Sequence, residues 1–317
     1  MKRRTFISQS AAAALVTSAS PLPFLSGSTW NSEGSKPRIC IFSKHLQWLG
    51  YAEMAALAGR IGFTGIDLTV RPGGHVLPER VEDDLPEAVR LIREEGLEVP
   101  MITTAITDPG DPLTTKILET AGGLGIGIYR TGWFRYREGE AVRAQLEHAR
   151  RQLRGLQVIN ASCGIAASYQ NHAGDYIGSS GWDLLEIIEG LDPRWTGVQF
   201  DVRHAMVEGF ETWPFVLELL APFINSLDIK DYTWNTGEGP RVLDVPLGQG
   251  LVPFPAYLER LEKLRIRADF SIHCEYDLGG AENGASALSI TGEEFEVRVR
   301  TDLEYFKALL EQRNVTD

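Results

Sequence analysis

The chain has 317 residues, 43% of them hydrophobic, enough to bury the core of one large domain or two small ones. Its 43 acidic against 31 basic residues give a net charge of -12, which argues against nucleic acid and anionic membrane surfaces as partners, since both call for a basic face. Cys40, Cys163 and Cys274 lie in apolar runs without metal-type spacing and read as buried thiols rather than a disulfide framework.

The first 37 residues stand apart from the rest. Lys2, Arg3 and Arg4 precede Phe6, an apolar run at 11–16, small residues at 17–20 and a Pro-rich exit at Pro21 and Pro23. That order reads as a secretory signal of the twin-arginine type, too short and weakly hydrophobic to span a bilayer. It predicts an exported protein, periplasmic or extracellular, with no membrane contact once the signal is removed. No cysteine follows the apolar run until Cys40, which argues against a lipid anchor, and the stretch to Pro37 reads as a tether.

From residue 38 to the end a single rhythm predicts one domain. Strand-like apolar runs occupy residues 38–42, 65–70, 99–106, 127–131, 163–169, 197–202, 224–229 and 269–275. Segments of helical period fall between them at 51–61, 86–95, 114–124, 140–156, 181–189, 213–220 and 255–264, and a last one at 301–312 closes the chain. Eight strand-helix units predict a (β/α)8 TIM barrel in the α/β class rather than a doubly wound sheet. No Gly-x-Gly-x-x-Gly follows the first strand, and the glycines at 122, 123, 125 and 127 precede a strand instead of joining a strand to a helix.

A barrel of this kind builds its active site at the C-terminal ends of its strands. Five of the six histidines fall there: His45 after the first strand, His75 after the second, His172 after the fifth, His204 after the sixth and His273 near the end of the eighth. Only His148 is on a helix. Lys44, Asp67, Arg71, Arg130, Trp133, Gln170, Asn171, Asp201, Asp228, Lys230 and Glu275 follow the same map. In the eighth run His273 and Glu275 are two apart and project to one face.

Three motifs carry a resemblance to a known family. Residues 169–174 read Tyr-Gln-Asn-His-Ala-Gly, residues 201–204 read Asp-Val-Arg-His, and residues 227–231 read Leu-Asp-Ile-Lys-Asp, followed by Val-Pro-Leu-Gly-Gln-Gly at 245–250. In this order and spacing the chain resembles the xylose isomerase-like TIM barrel superfamily, the sugar phosphate isomerase/epimerase group, over about residues 38–312. The resemblance implies a divalent metal held by side chains from the fifth to eighth strands, with a sugar chelated to it. Carried over position by position, the metal ligands are Gln170, Asp201, Asp228 and His273, with Glu275 an alternative to His273. Gln170 stands where the family has Glu, Asp228 where it has His, and His273 where it has Glu. Oxygen and imidazole donors suit Mn²⁺, Mg²⁺ or Zn²⁺.

Moving a proton next to a carbonyl needs a base of moderate pKa and a charge that stabilises the enolate. His172, His204 and Glu275 are candidates for the proton transfer. Lys230 either stabilises the enolate or only pairs with Asp201, Asp231 or Glu275. Arg71 and Arg130 can recognise a carboxylate or phosphate, and His45, His75, Trp133 and Asn171 complete a carbohydrate-binding set. The expected function is an exported, metal-dependent sugar isomerase or epimerase acting on a small-molecule carbohydrate, with the oligomeric state open. Two alternatives stand beside it: a lyase that cleaves 3-keto-glycosides by elimination, and a catalytically silent carbohydrate-binding barrel.

Overall fold

The computed structural model describes residues 36–235, 237 and 241–314. The expected export segment lies outside the described residues but for its last two positions. In chain order the strands are β1 (Ile39–Phe42), β2 (Gly65–Thr69), β3 (Glu98–Thr103), β4 (Ile128–Arg130), β5 (Ala166–Gln170), β6 (Thr196–Asp201), β7 (Ile224–Ile229), β8 (Asp231–Asn235), β9 (Arg241–Val245) and β10 (Asp269–Ile272). β1 to β7 and β10 are parallel and close into a barrel, β10 pairing with both β7 and β1. This is the (β/α)8 architecture that the rhythm of the sequence predicts.

The helices are α1 (Tyr51–Ile61), α2 (Val81–Glu94), α3 (Pro112–Gly123), α4 (Val142–Cys163), α5 (Gly181–Ile188), α6 (Val202–Gly209), α7 (Trp213–Leu220), α8 (Phe254–Lys263) and α9 (Gly292–Asn314). Each turns one apolar face to the barrel. On α4 that face is Leu146, Ala149, Leu153, Leu156 and Asn160, a spacing of three and four. None of the described helices is long and apolar enough to cross a membrane.

Three local readings are corrected. The fifth strand begins at Ala166, because α4 runs on through Cys163 and ends at Gly164; Cys163 is therefore a half-buried helix-end thiol, while Cys40 and Cys274 are buried. Residues 202–209 form α6 directly at the end of β6, since Asp201 accepts a hydrogen bond from the backbone N–H of His204 at 3.0 Å and so caps the helix. Residues 231–245 contain the antiparallel hairpin β8–β9, inserted before α8. The Asp231 carboxylate anchors it by accepting the N–H groups of Gly248, Gly250 and Val252 at 2.9 to 3.0 Å. A side chain at 250 would meet Asp231 Oδ1 at 2.2 Å, so only glycine lets the backbone come this close.

The main apolar core lies between barrel and helices, and the C-terminal end of the barrel interior is polar instead. Register sets Asp201 beside Asp228, Asp228 beside Ser271, and Phe42 beside Asp67. Asp67, Gln170, Asp201, Asp228, Lys230 and His273 are all at most 2% exposed. Charges survive such burial only when paired and hydrogen-bonded, so this layer is where the fold sets function above stability.

Candidate functional site

Gln170, at the end of β5, holds the cluster together. Its Nε2 donates to Asp201 Oδ2 at 3.0 Å and to Asp228 Oδ2, and its Oε1 accepts from Arg130 at 2.8 Å. Turning the amide over would point its oxygen at two carboxylates, so this orientation is fixed. Lys230 Nζ lies 2.9 Å from Asp201 Oδ2, 3.0 Å from His204 Nε2 and 3.4 Å from Glu275 Oε2. Burial alone would lower the Lys230 pKa, but Asp201 and Glu275 outweigh it and raise the pKa, so the ammonium stays charged. Lys230 thus faces three acceptors within the protein, which makes it the cation that holds the cluster.

Glu275 accepts from Lys44 at 3.0 Å through its other oxygen. Burial pushes its pKa up, but Lys230 and Lys44 together hold it well below the usual carboxylate range. Both its oxygens already face ammonium groups, so it serves the lysines rather than the substrate. His172 differs. Its Nδ1 sits 2.9 Å from the carbonyl of Ala173 and must carry the hydrogen there, which leaves Nε2 as a lone-pair nitrogen. Burial, then the charge of Lys230, lowers its pKa to about 4, so the ring is neutral at neutral pH. It lies against His204 with ring centroids 3.9 Å apart and edge-on to Trp133 at 4.9 Å.

His204 receives two donors: Arg203 at Nδ1 and Lys230 at Nε2, both 3.0 Å away. A neutral imidazole has one acceptor nitrogen and so serves one of them at a time. Burial followed by Lys230 holds its pKa well below 6.5. His273 stacks on Phe42 at 4.3 Å, with its Nε2 3.3 Å from Asp228 Oδ1 and 3.9 Å from Asp67 Oδ2, without a well-aligned hydrogen bond to either. Burial raises the pKa of Asp228 well above the usual value, and neighbouring Asp201 raises it further.

The four side chains expected to hold a metal are thus brought together, yet they do not fit one. The amide hydrogens of Gln170 and the ammonium of Lys230 lie against the carboxylates of Asp201 and Asp228, where a bridging cation would bind. Among the described residues no three His, Cys, Asp or Glu side chains are arranged to hold a metal ion.

The expected carbohydrate-binding residues divide. Arg71, Arg130 and Trp133 reach the mouth: both guanidinium carbons lie 5.5 Å from the centre of the Phe42 ring, and that of Arg130 is 4.5 Å from the Trp133 ring. His45, His75 and Asn171 are tied to the protein. His45 is fully buried, with Nδ1 on the carbonyl of Ala281 and its pKa lowered by burial to about 3. His75 places its nitrogens on the carbonyl of Leu46 and on Thr69 Oγ1, fixing the loop after β2. Asn171 clamps β5 to β6 by bonding both backbone groups of Asp201. Two contributors escaped the sequence reading: Phe42, whose ring the cations surround, and Asp244. The hairpin brings in Asp244, which accepts two bonds from Arg203, and without the hairpin it gave no signal. Asp67, on the strand-end map, accepts from Thr103 and Ser271.

The profile of the xylose isomerase-like TIM barrel family matches residues 55–309. No curated protein matches the chain significantly. Among solved structures, D-psicose 3-epimerase with D-tagatose from Clostridium cellulolyticum H10 is similar with a TM-score of 0.66 at 11% identity, over 86% of this chain and 99% of that one. A D-allulose 3-epimerase from Methylomonas sp. is similar with a TM-score of 0.64 at 16% identity, over 86% and 99%. The 3-keto-D-glucoside 4-epimerase from E. coli gives 0.63 at 16% identity, over 86% and 100%. At such identities these likenesses establish the fold, while the profile match spans most of the sequence. The chain belongs to the xylose isomerase-like TIM barrel family.

Proposed function

We propose that this protein is a carbohydrate isomerase or epimerase that removes a proton from a carbon next to a carbonyl, at the C-terminal mouth of the barrel, without a divalent metal. The observation that carries the reading is His172: a neutral imidazole whose tautomer is fixed by the carbonyl of Ala173, leaving a lone pair on Nε2 at a half-buried position. In this reading Nε2 takes the proton and, in an isomerase, returns it to the neighbouring carbon of the enediol; in an epimerase, the enolate carbon takes its new proton on the opposite face from a second donor. Lys44, whose ammonium has Glu275 as its one ion-pair partner, donates to the oxygen that becomes negative as the proton leaves. His204, stacked on His172 and in contact with Lys230, keeps the base in place. The sugar-epimerase neighbours support a small-molecule carbohydrate as substrate, and the export signal expected in residues 1–37 puts the reaction outside the cytoplasm.

The test is deuterium uptake from D2O into a panel of free, phosphorylated and 3-keto sugars, followed by mass spectrometry. Uptake with otherwise unchanged mass is the expected result, reduced about 100-fold or more in His172→Asn, in line with the loss of a general base. The helix variant His148→Asn should exchange as the parent does. Loss of an aglycone would identify a lyase instead. Sugar binding without exchange would identify a silent barrel, and full exchange by His172→Asn would remove the assigned base.

A further inference from the structure

Arg71 is the unusual cation of the mouth. Lys44 pairs with Glu275, Lys230 with Asp201 and Glu275, and Arg203 with Asp244. The Arg71 guanidinium has no hydrogen bond or ion pair among the described residues, and it lies over the ring of Phe42 at 5.5 Å. It is nevertheless half-buried and held by a rigid turn. Arg71, Pro72, Gly73 and Gly74 form a β-turn in which the N–H of Gly74 donates to the carbonyl of Arg71 at 2.8 Å and Gly73 has φ +68°. The Arg71 N–H in turn donates to the carbonyl of Val76 at 3.1 Å.

A second guanidinium faces the same ring. Arg130 is 4% exposed, with NH1 bound to the neutral oxygen of Gln170 and its Nε buried without a partner. Two arginines that approach one aromatic ring, neither hydrogen-bonded to a carboxylate, repel each other. Burial and then Arg130 lower the Arg71 pKa to about 10. The carboxylates of Asp67 and Glu275 act on both guanidinium groups through space, but none of the described carboxylates accepts a hydrogen bond from either. The hydrogen-bonding partner for this pair therefore comes from the ligand.

We propose that Arg71 and Arg130 form an anion subsite, so that the substrate is a sugar bearing a carboxylate or phosphate group. The inference rests on the carbohydrate reading above for the sugar and on the arginines alone for the charge. Trp133 connects the two halves of the site, its ring 4.5 Å from the Arg130 guanidinium and 4.9 Å from His172. An anionic group on the arginines thus leaves the sugar carbons beside Trp133 and His172. Planar guanidinium groups suit either anion, because both offer paired oxygens.

Calorimetric titration of the full chain with D-glucose, D-glucuronate and D-glucose 6-phosphate tests this. At least one of the two anions should bind about tenfold or more tightly than glucose, the gain expected of hydrogen bonds to a charged group, and should weaken with added salt. The preferred anion identifies the carboxylate or the phosphate. Arg71→Met should abolish the preference, weakening the favoured anion about tenfold or more relative to glucose, and Arg71→Lys should restore part of it. Equal affinity for all three sugars, no measurable affinity for either anion, or a preference that survives Arg71→Met would overturn the subsite. So would an equal loss of deuterium exchange with neutral and anionic sugars in Arg71→Met, which would make Arg71 an oxyanion donor instead. Anion binding without any deuterium exchange would leave the subsite standing and remove the proposed catalysis.

Discussion

The ammonium of Lys230 lies 2.9 Å from Asp201 Oδ2, and both groups are almost completely buried. This ion pair puts a fixed single charge beside the carboxylate to which the family resemblance assigned a divalent ion. Coulomb attraction at this separation is strong where water is excluded, and its value lies in what its loss would leave behind: an unpaired buried anion.

Lys230→Met keeps the length of the side chain and removes the charge. Breaking one half of a buried pair costs about 3 to 5 kcal/mol, so a large drop in unfolding midpoint is expected in urea. Lys263→Met, which removes an exposed helical pair with Glu259, should leave the midpoint where it is. Equal behaviour of the two variants would show that the cluster does not depend on Lys230.

Gln170→Glu should turn the site toward metal. A third carboxylate between Asp201 and Asp228 is repelled in the absence of a cation, so the variant should melt below the parent and recover on addition of Mn²⁺ or Zn²⁺. The parent should respond neither to these ions nor to a chelator. Stoichiometric metal in the purified parent, with loss of stability on chelation, would show that the cluster does hold a metal ion.

Acid should destabilise the fold well before ordinary carboxylates titrate. Burial holds His45 near a pKa of about 3 and His75 and His172 near about 4, and keeps His204 and His273 well below 6.5. Below pH 6.5 the unfolded chain binds protons at these residues and the native chain does not. Stability therefore falls with pH from about 6.5 toward the folded values, by about 2 kcal/mol per histidine at pH 5. Asp67, Asp183, Asp228, Asp244 and Asp302, whose pKa values burial raises, act in the opposite direction, so the net fall is smaller than the histidine sum. Urea midpoints at pH 7 and pH 5 decide the matter, and an unchanged or higher midpoint at pH 5 would reject it.

Export should depend on the arginine pair. Changing both Arg3 and Arg4 to Lys keeps the charge and removes the twin arginines, so the protein should accumulate in the cytoplasm, whereas the parent should be found outside it, cleaved after about Ser20. Cell fractionation and the N-terminal sequence of the exported form give the answer. Normal export of the double variant would indicate the general secretory route.

The barrel was legible because its signals are local. Alternation at residues 224–229 and the apolar spacing of residues 51–61 depend on neighbours a few positions away, and β7 and α1 have those bounds. The Asp-x-x-His spacing at 201–204 is local too, since it is the distance from a helix cap to the N–H that it accepts. The hairpin at 231–245 was missed because four successive positions within it, 237–240, read as a loop and its strands lie outside the barrel rhythm.

Sequence alone determined which chemically able residues sit at strand ends, because in an eight-fold alternation of strands and helices every strand delivers its last residues to the same mouth. Only the tertiary structure decided what each of them is bound to. His45 and His75 have the same chemistry and the same strand-end position as His172, and Asn171 precedes it in the chain, yet their polar atoms go to Ala281, to Leu46 and Thr69, and to Asp201. Lys230 is next to Asp231 in the chain but pairs with Asp201, 29 positions earlier, and Asp231 binds the backbone of the following loop instead. Arg71 stands out for having no such partner, and that is a property of the space around it. Hydrogen-bond and ion-pair choice depends on distances of a few ångströms between groups brought in by different strands, and those distances do not exist until the barrel has closed.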